Sequence, residues 1–163
     1  MNGNFYSYIK DINVDTELFD IIINNFTDFC DEREYDGNKV YFYKLAQLLT
    51  SDILHIKELI SGTKVDYSHL VGCADYKIPQ TLRALGILKY NDELSNIIDN
   101  KVLIDKNYKY EVEIRTNMIA VINYINSKLE NCCSIDINDY LFLSSKSVKD
   151  IAKTYRLCKN KNY

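Results

Sequence analysis

The chain has 163 residues and a formal net charge of −3. A chain of this length can bury about two-thirds of its unfolded surface, so it can form one domain with a core of its own. Because binding to a polynucleotide depends on many lysine and arginine contacts, the charge argues against a protein that binds a phosphate backbone. A small anionic ligand is compatible with it.

The cysteines and histidines do not suggest a metal site. The five cysteines include no Cys-x-x-Cys pair, and His55 and His69 lack the spacing of zinc ligands. The cysteine count is odd, no apolar stretch follows a basic N-terminus, and no apolar segment is both long and uncharged. We therefore expect a reduced, soluble, cytoplasmic protein without a metal or redox cofactor.

Helical periodicity dominates the first part of the chain. Apolar residues recur at spacings of three and four in residues 18–29 and predict a helix that begins near Asn13 or Asp15. The same spacing in residues 42–60 predicts a longer helix, which Gly62 is expected to end.

The second half shows shorter patterns. Short helices are predicted at residues 79–85 and 92–98, the latter after a cap at Asn91, and a long one at residues 114–129.

The C-terminal part carries two cap signals. Asp136 is expected to cap a helix that runs to Phe142. The segment Ser147-Val148-Lys149-Asp150 has the pattern of a capping box and predicts a further helix through Tyr155.

Only two segments have the character of strands. Residues 39–42 and 101–104 are short enough to be helix entries or one small ribbon. The prediction is therefore an all-α fold: a mainly helical bundle or array in a single domain over residues 1–163, with room for one short β ribbon.

The only proline of the chain lies in a distinctive segment. Its sequence is Ala74-Asp75-Tyr76-Lys77-Ile78-Pro79-Gln80, and Leu82, Leu85 and Gly86 follow it. Proline is favoured in the first turn of a helix because it needs no amide partner there, and glycine can end a helix in the left-handed conformation. Asp75 is therefore predicted in the loop that enters this helix.

This segment resembles the hallmark of the queuosine salvage family, the queuosine 5'-phosphate N-glycosidases, in which Ala-Asp-Tyr-Arg-(Val/Ile)-Pro-Gln precedes a leucine and glycine pattern. Four further blocks are similar to family blocks in the same order: residues 26–32, 44–52, 111–115 and 139–142. The tail from Tyr155 to Tyr163 resembles the basic, tyrosine-terminated tail of the family. The resemblance runs from about Gly3 to Tyr163 and reaches only the C-terminal part of the family, so the usual N-terminal helical region is expected to be absent.

The resemblance implies a helical fold like that of DNA glycosylases. It also implies hydrolysis of the N-glycosidic bond of queuosine 5'-monophosphate, which releases queuine for reuse in transfer RNA modification. Two alternatives stay open: a non-catalytic or partner-dependent helical remnant of the family, with a second chain supplying the absent region, and a hydrolase of a related nucleoside or nucleotide. The chain departs from the family at four positions: Cys73 for Phe, Asn123 for Glu, Phe142 for Trp and Tyr155 for His.

The resemblance implies roles for two carboxylates. Cleavage of a ribosyl bond builds positive charge on the sugar, which an adjacent carboxylate can stabilise or trap covalently, and Asp139 is expected in this catalytic role. Asp75 is expected to bind the base, with Tyr76 and Cys73 lining the same pocket. From the residues alone, Asp139 would favour a positive helix N-terminus and Asp75 would form a turn or cap before Pro79.

The phosphate end of the substrate requires cations. The resemblance implies that Lys44 and Arg115 bind the 5'-phosphate, with help from Lys77 or Arg156. Arg115 could instead orient Asp75 or Asp139, with Glu111 or Glu113 holding the arginine in place. Glu111 precedes Arg115 by one helical turn, so the alternative for this arginine is a structural ion pair that tethers neighbouring backbone.

The helical spacing of Lys44 gives it a second interpretation. Together with Gln47, Ser51 and His55 it forms a polar stripe opposite the apolar one. Periodicity alone favours a solvated face for this stripe.

Overall fold

The computed structural model describes residues 4–161, and most of this part of the chain is helical, which confirms the predicted class. Gly3 and Tyr163, the ends of the family resemblance, lie outside the described residues. The helices within them are α1 (Phe5–Ile9), α2 (Val14–Asn25), α3 (Lys44–Ser61), α4 (Lys77–Ala84), α5 (Asp92–Asp99), α6 (Lys109–Asn126) and α7 (Ser134–Ser144). The strands are β1 (Glu32–Tyr35), β2 (Asn38–Tyr41), β3 (Leu103–Ile104) and β4 (Leu157–Cys158).

The helix boundaries follow the predicted cap residues. The side chain of Asn13 accepts a hydrogen bond from the amide of Asp15 at 3.1 Å, and Asn91 accepts one from Leu94 at 2.8 Å. Gly62 ends α3 with φ = +66°, a left-handed conformation that costs glycine little. The expected starts of α2 and α5 and the end of α3 are therefore confirmed.

The strands form two ribbons rather than one. β1 and β2 pair as an antiparallel hairpin, with Glu32 opposite Tyr41. β3 and β4 pair in parallel, with Leu103 opposite Leu157. The two segments with strand character thus each contribute to a ribbon, but their partner strands did not stand out in the sequence.

Two expectations near the C-terminus are wrong. Helix α7 is capped by Cys133, and Asp136 lies inside its first turn, where its carboxylate accepts a hydrogen bond from the Cys133 amide at 2.8 Å. Up to residue 161, the last that the structure describes, no helix follows the Ser147-x-x-Asp150 box: the chain makes short turns and then becomes extended. On this extended path Arg156 lies in the protein interior.

The largest core cluster lies among α4, α6 and α7. Smaller clusters join α2 to α3 and the end of α3 to the start of α7. None of the helices among residues 4–161 has an apolar stretch long enough to cross a membrane. The central cluster consists of Phe42, Ala74, Ile78, Leu82, Val112, Met118, Ile122, Ile137 and Leu141. Because Ala74 belongs to it, the connection between α3 and α4 crosses the middle of the structure.

Candidate active site

Residues 71–75 form a short segment before α4, called here the central loop, in which residues 72–75 are buried. Gln47, on α3, supports its beginning: the side-chain oxygen accepts hydrogen bonds from the amides of Val71 at 2.8 Å and Gly72 at 3.0 Å. The side-chain amide of Gln47 donates to the carbonyl of Phe42 at 2.8 Å. Gln47 is only 3% exposed and Ser51 is buried, so the predicted solvated stripe is wrong at both positions.

Gly72 lies in close contact with two helices. Its φ of +112° is a conformation that other residues rarely adopt. A Cβ atom at this position would lie 3.2 Å from Cδ1 of Ile122, on α6, and 3.5 Å from Oδ1 of Asn138, on α7. Both the backbone conformation and the available space therefore favour glycine.

Asn138 connects the central loop to α7. Its Oδ1 accepts a hydrogen bond from the amide of Cys73 at 2.9 Å, and its Nδ2 donates to Oδ1 of Asp139 at 3.0 Å. Asn138 is 5% exposed, whereas Asp139 faces solvent. The expected catalytic carboxylate is thus linked, through one buried side chain, to a residue close to Asp75.

The end of the central loop is held by Arg115. The Nε of Arg115 donates to the carbonyl of Ala74 at 3.0 Å, and its two terminal nitrogens contact the Asp31 carboxylate. The guanidinium lies 4.0 Å from the centre of the Phe42 ring, and a second arginine, Arg33, lies 3.1 Å from Asp31. Arg115 is fully buried in this cluster, so the geometry fits a tether to backbone rather than contact with a phosphate.

A second buried ion pair holds the next carbonyl. Arg156 pairs with the carboxylate of Glu111 through its Nε and one terminal nitrogen, and the same terminal nitrogen donates to the carbonyl of Asp75 at 3.1 Å. Glu111 and Arg156 are both buried. The expected ion pairing of Glu111 and Arg115 is thus replaced, in the described contacts, by pairs that each involve a residue from a distant part of the chain.

The carboxylate of Asp75 lies at the N-terminus of α4. Its Oδ1 accepts a hydrogen bond from the amide of Ile78 at 2.9 Å, as expected for an acid in the loop before a helix that carries Pro79 in its first turn. Asp75 is 6% exposed, and this burial raises its pKa above the ordinary value. The Ile78 amide and the charges of Arg156 and Lys44 oppose that shift.

The pKa of the Cys73 thiol depends on its burial and on four charged side chains. Burial is the main cause that raises its pKa to about 12, so it remains protonated at neutral pH. The charge of Lys44 lowers this pKa, and three carboxylates raise it: Asp139, Asp75 and Asp52. The structure therefore brings together four of the predicted site residues, Cys73, Asp75, Asp139 and Lys44, and it adds Asp52, which follows Lys44 by two turns of α3.

Two aromatic rings and a lysine lie beside the central loop. The rings of Tyr76 and Tyr155 are 4.7 Å apart at an angle of 44°. The Nζ of Lys77 lies 5.9 Å and 5.4 Å from their centres, which places the ammonium in cation–π contact with both rings. Tyr76 and Lys77 thus lie directly after the central loop, in contact with Tyr155.

Sequence reasoning missed Asn138 and Asp31. Asn138 shares a helical spacing with buried Ile135 and Leu141, so a polar residue in an apolar register was the available signal. Asp31 had no comparable signal, because an acid that must meet a buried arginine could have been any of 23 acidic residues.

The sequence model of the family described as "Queuosine salvage protein" matches residues 1–161. The chain belongs to the queuosine salvage protein family. This membership confirms the resemblance that the short blocks indicated.

Curated relatives of the family carry the name queuosine 5'-phosphate N-glycosylase/hydrolase. The chain is 37% identical to the relative from Mus musculus over 115 residues, which cover 69% of this chain and 34% of the relative. It is 40% identical to that from Sphaerobacter thermophilus over 103 residues, with coverages of 63% and 32%. It is 34% identical to that from Nematostella vectensis over 135 residues, with coverages of 76% and 39%. The chain therefore spans about a third of the length of these relatives.

The four positions at which the sequence is expected to depart from the family pattern lie in different parts of the structure. Cys73 is in the central loop, and Tyr155 packs on Tyr76 beside it. Phe142 follows Asp139 by one turn of α7 and is 47% exposed. Asn123 instead accepts a hydrogen bond from Ser134 at 3.4 Å, at the start of α7.

Proposed function

We propose that this chain hydrolyses the N-glycosidic bond of queuosine 5'-monophosphate and releases queuine for reuse in transfer RNA modification. The observation that carries the proposal is the link through Asn138, because it brings Asp139 next to the central loop that contains Asp75. These two carboxylates differ in environment: Asp139 is accessible, and Asp75 is buried. Membership in the family supports the same reaction.

In the proposed reaction, Asp139 acts on the ribose. As the glycosidic bond lengthens, positive charge develops on the sugar, and a carboxylate beside it stabilises the transition state or forms a covalent intermediate that water hydrolyses. Asn138 binds Oδ1 of Asp139, and among the described hydrogen bonds none involves Oδ2. We assign to Oδ2 the contact with the sugar.

We assign Asp75 to the base. A 7-deazapurine lacks a ring nitrogen that ordinary purines can protonate, so its departure depends on hydrogen bonds or a proton from elsewhere. Burial raises the pKa of Asp75, and a carboxyl group that keeps its proton to a higher pH can donate as well as accept. Tyr76 and Cys73 are proposed to line this end of the pocket.

We assign the phosphate end to Lys44 and Lys77, which lie on either side of the central loop in sequence. The charge of Lys44 acts on both Cys73 and Asp75, which supports its place at the site. Arg115 remains part of the proposal in a different role: by binding the Ala74 carbonyl it holds the loop that carries the base-binding acid.

We further propose that another polypeptide segment closes this pocket. Apolar side chains that neighbour the site residues in sequence are exposed, among them Val71, Phe142 and Leu143. The relatives are about twice as long as the chain, so the family has material for such a cover. The ligand is proposed to be a small nucleotide rather than a polynucleotide, and free thiols at all five cysteines fit a reducing compartment such as the cytoplasm.

The test is detection of queuine by mass spectrometry after the purified chain is incubated with queuosine 5'-monophosphate. Asp139→Asn is the matched control, since it keeps the shape of the side chain and removes its charge. Release by the wild type that the variant loses supports the proposal. Folded protein that releases no queuine contradicts it for the chain alone, and addition of the remaining region of a longer relative then tests the covering segment. Guanosine 5'-monophosphate in parallel tests a related substrate.

A further inference from the structure

Asn138 uses both ends of its side-chain amide, one as an acceptor and one as a donor. A backbone amide can only donate, so the atom facing Cys73 must be the side-chain oxygen, and the other atom is then the NH₂ group. An ionised carboxylate can only accept, and that NH₂ group faces Oδ1 of Asp139. The two contacts therefore fix the orientation of the amide in a mutually consistent way.

The surroundings leave Asn138 little freedom. It is 5% exposed, and its Oδ1 lies close to the position that a Cβ on Gly72 would occupy. A buried side chain whose donor and acceptor are both used resists rotation, because any other rotamer leaves a buried polar group without a partner. By contrast, Asp139 is exposed and has no comparable packing of its own.

We propose that Asn138 is the positioning residue that holds the Asp139 carboxylate in a fixed orientation relative to the central loop. This inference rests on the proposed function, because it assigns Asp139 the catalytic role. Asn138 itself does not contact the substrate in this proposal. It sets the direction in which Asp139 presents Oδ2. Its hydrogen bond with the Cys73 amide fixes that direction relative to the loop that carries Asp75.

Two substitutions distinguish the contact of Asn138 with the Cys73 amide from its contact with Asp139. Asn138→Asp keeps an oxygen for the Cys73 amide but loses the donor to Asp139 and adds a negative charge beside it. Asn138→Ala removes both contacts. Ser134→Ala is the control for general weakening of α7, since Ser134 is buried at the start of the same helix and its hydroxyl donates to Asn123.

The kinetic readout is the split between kcat and KM. A hydrogen bond to a charged group is lost in both Asn138 variants, so kcat should fall about 10- to 100-fold while KM changes by less than about 3-fold. Ser134→Ala should keep kcat within about 3-fold. In Asn138→Asp the introduced buried carboxyl can donate to Asp139 only while it is protonated, so the lost turnover should return as the pH is lowered. A kcat that does not fall, or a loss in Asn138→Asp that does not respond to pH, overturns the proposal.

Two further readouts do not require turnover. NMR three-bond couplings report whether Asp139 occupies one χ1 rotamer, and they should show averaging in both Asn138 variants but not in Ser134→Ala. Alkylation mapped by mass spectrometry should show faster labelling of Cys73 in Asn138→Ala only, since Asn138→Asp still binds its amide. If the wild type releases no queuine but these two results hold, the proposed function fails and the positioning role stands. Unchanged couplings in both variants overturn the positioning role even in an active enzyme.

Discussion

Replacement of Asp31 by asparagine removes a negative charge that lies between two buried guanidinium groups. The Asp31 and Arg115 side chains have no solvent exposure, and that of Arg33 is 5% exposed. Removal of one partner from a buried ion pair typically costs about 3–5 kcal/mol, because the remaining charge stays buried without compensation. For a chain of this size, we expect the melting temperature of Asp31→Asn to fall by roughly 6–20 °C.

The matched control is the same substitution three positions earlier. Asp28 lies 3.0 Å from Lys161, and its side chain is 90% exposed. Exposed pairs contribute at most about 1 kcal/mol, so Asp28→Asn should shift the melting temperature by no more than about 4 °C. The melting temperatures of the two variants are measured by circular dichroism at neutral pH. Urea unfolding gives a second measure of their stability. If both variants melt within about 2 °C of each other, the buried ion pair does not stabilise the fold more than an exposed one.

Asp31→Asn should also affect the site. Arg115 binds both Asp31 and the Ala74 carbonyl, so loss of the first partner frees the guanidinium that fixes the end of the central loop. Turnover measured well below the melting temperature should therefore fall in Asp31→Asn and stay near the wild-type value in Asp28→Asn. Equal turnover in the two variants would show that the tether does not control the loop.

Two other predictions concern the central loop. Gly72→Ala should destabilise the protein by about 1–3 kcal/mol in thermal unfolding, because φ is +112° and the added Cβ would lie 3.2 Å from Ile122. The loss should exceed that of Gly37→Ala, where φ is +76° and the space is open, and equal losses would contradict the packing argument. Because burial raises the pKa of Asp75, the folded state binds its proton more tightly than the unfolded state, so stability should fall as the pH rises from the ordinary value of 3.8 towards the raised one. Asp75→Asn keeps an acceptor for the Ile78 amide and should lack this part of the decrease in urea unfolding at about pH 4 and pH 8, and a decrease of wild-type size would contradict it.

Local signals in the sequence predicted the helices well. Asn13, Asn91 and Gly62 each act on backbone groups within a few residues, so a cap can be recognised without knowledge of the fold. The Ser147-x-x-Asp150 box gave a wrong prediction because it, too, is a local signal and does not report distant contacts. Its local preference for a helix is overridden by the distant contact that places Arg156 on Glu111, 45 residues away in sequence.

The site residues depended on contacts that periodicity cannot predict. Gln47 lies opposite an apolar stripe and was therefore expected to be solvated, yet it binds amides 24 and 25 residues further along the chain. Arg115 was expected to meet Glu111, one turn away, and its carboxylate partner Asp31 is 84 residues away. The family resemblance pointed to Asp75 and Asp139, but only the structure shows what supports them.

The buried polar residues around the central loop need an explanation beyond stability. Each of Gln47, Asn138, Arg115 and Arg156 binds a backbone group of that loop, and all four are buried. Well-packed apolar residues often stabilise a core as much as such polar groups do, because burial of a charge or an amide carries a desolvation cost. Apolar side chains could not, however, bind the amides and carbonyls of five successive residues. Their contribution is therefore to fix one loop conformation, in which a buried acid and an exposed acid keep a constant separation.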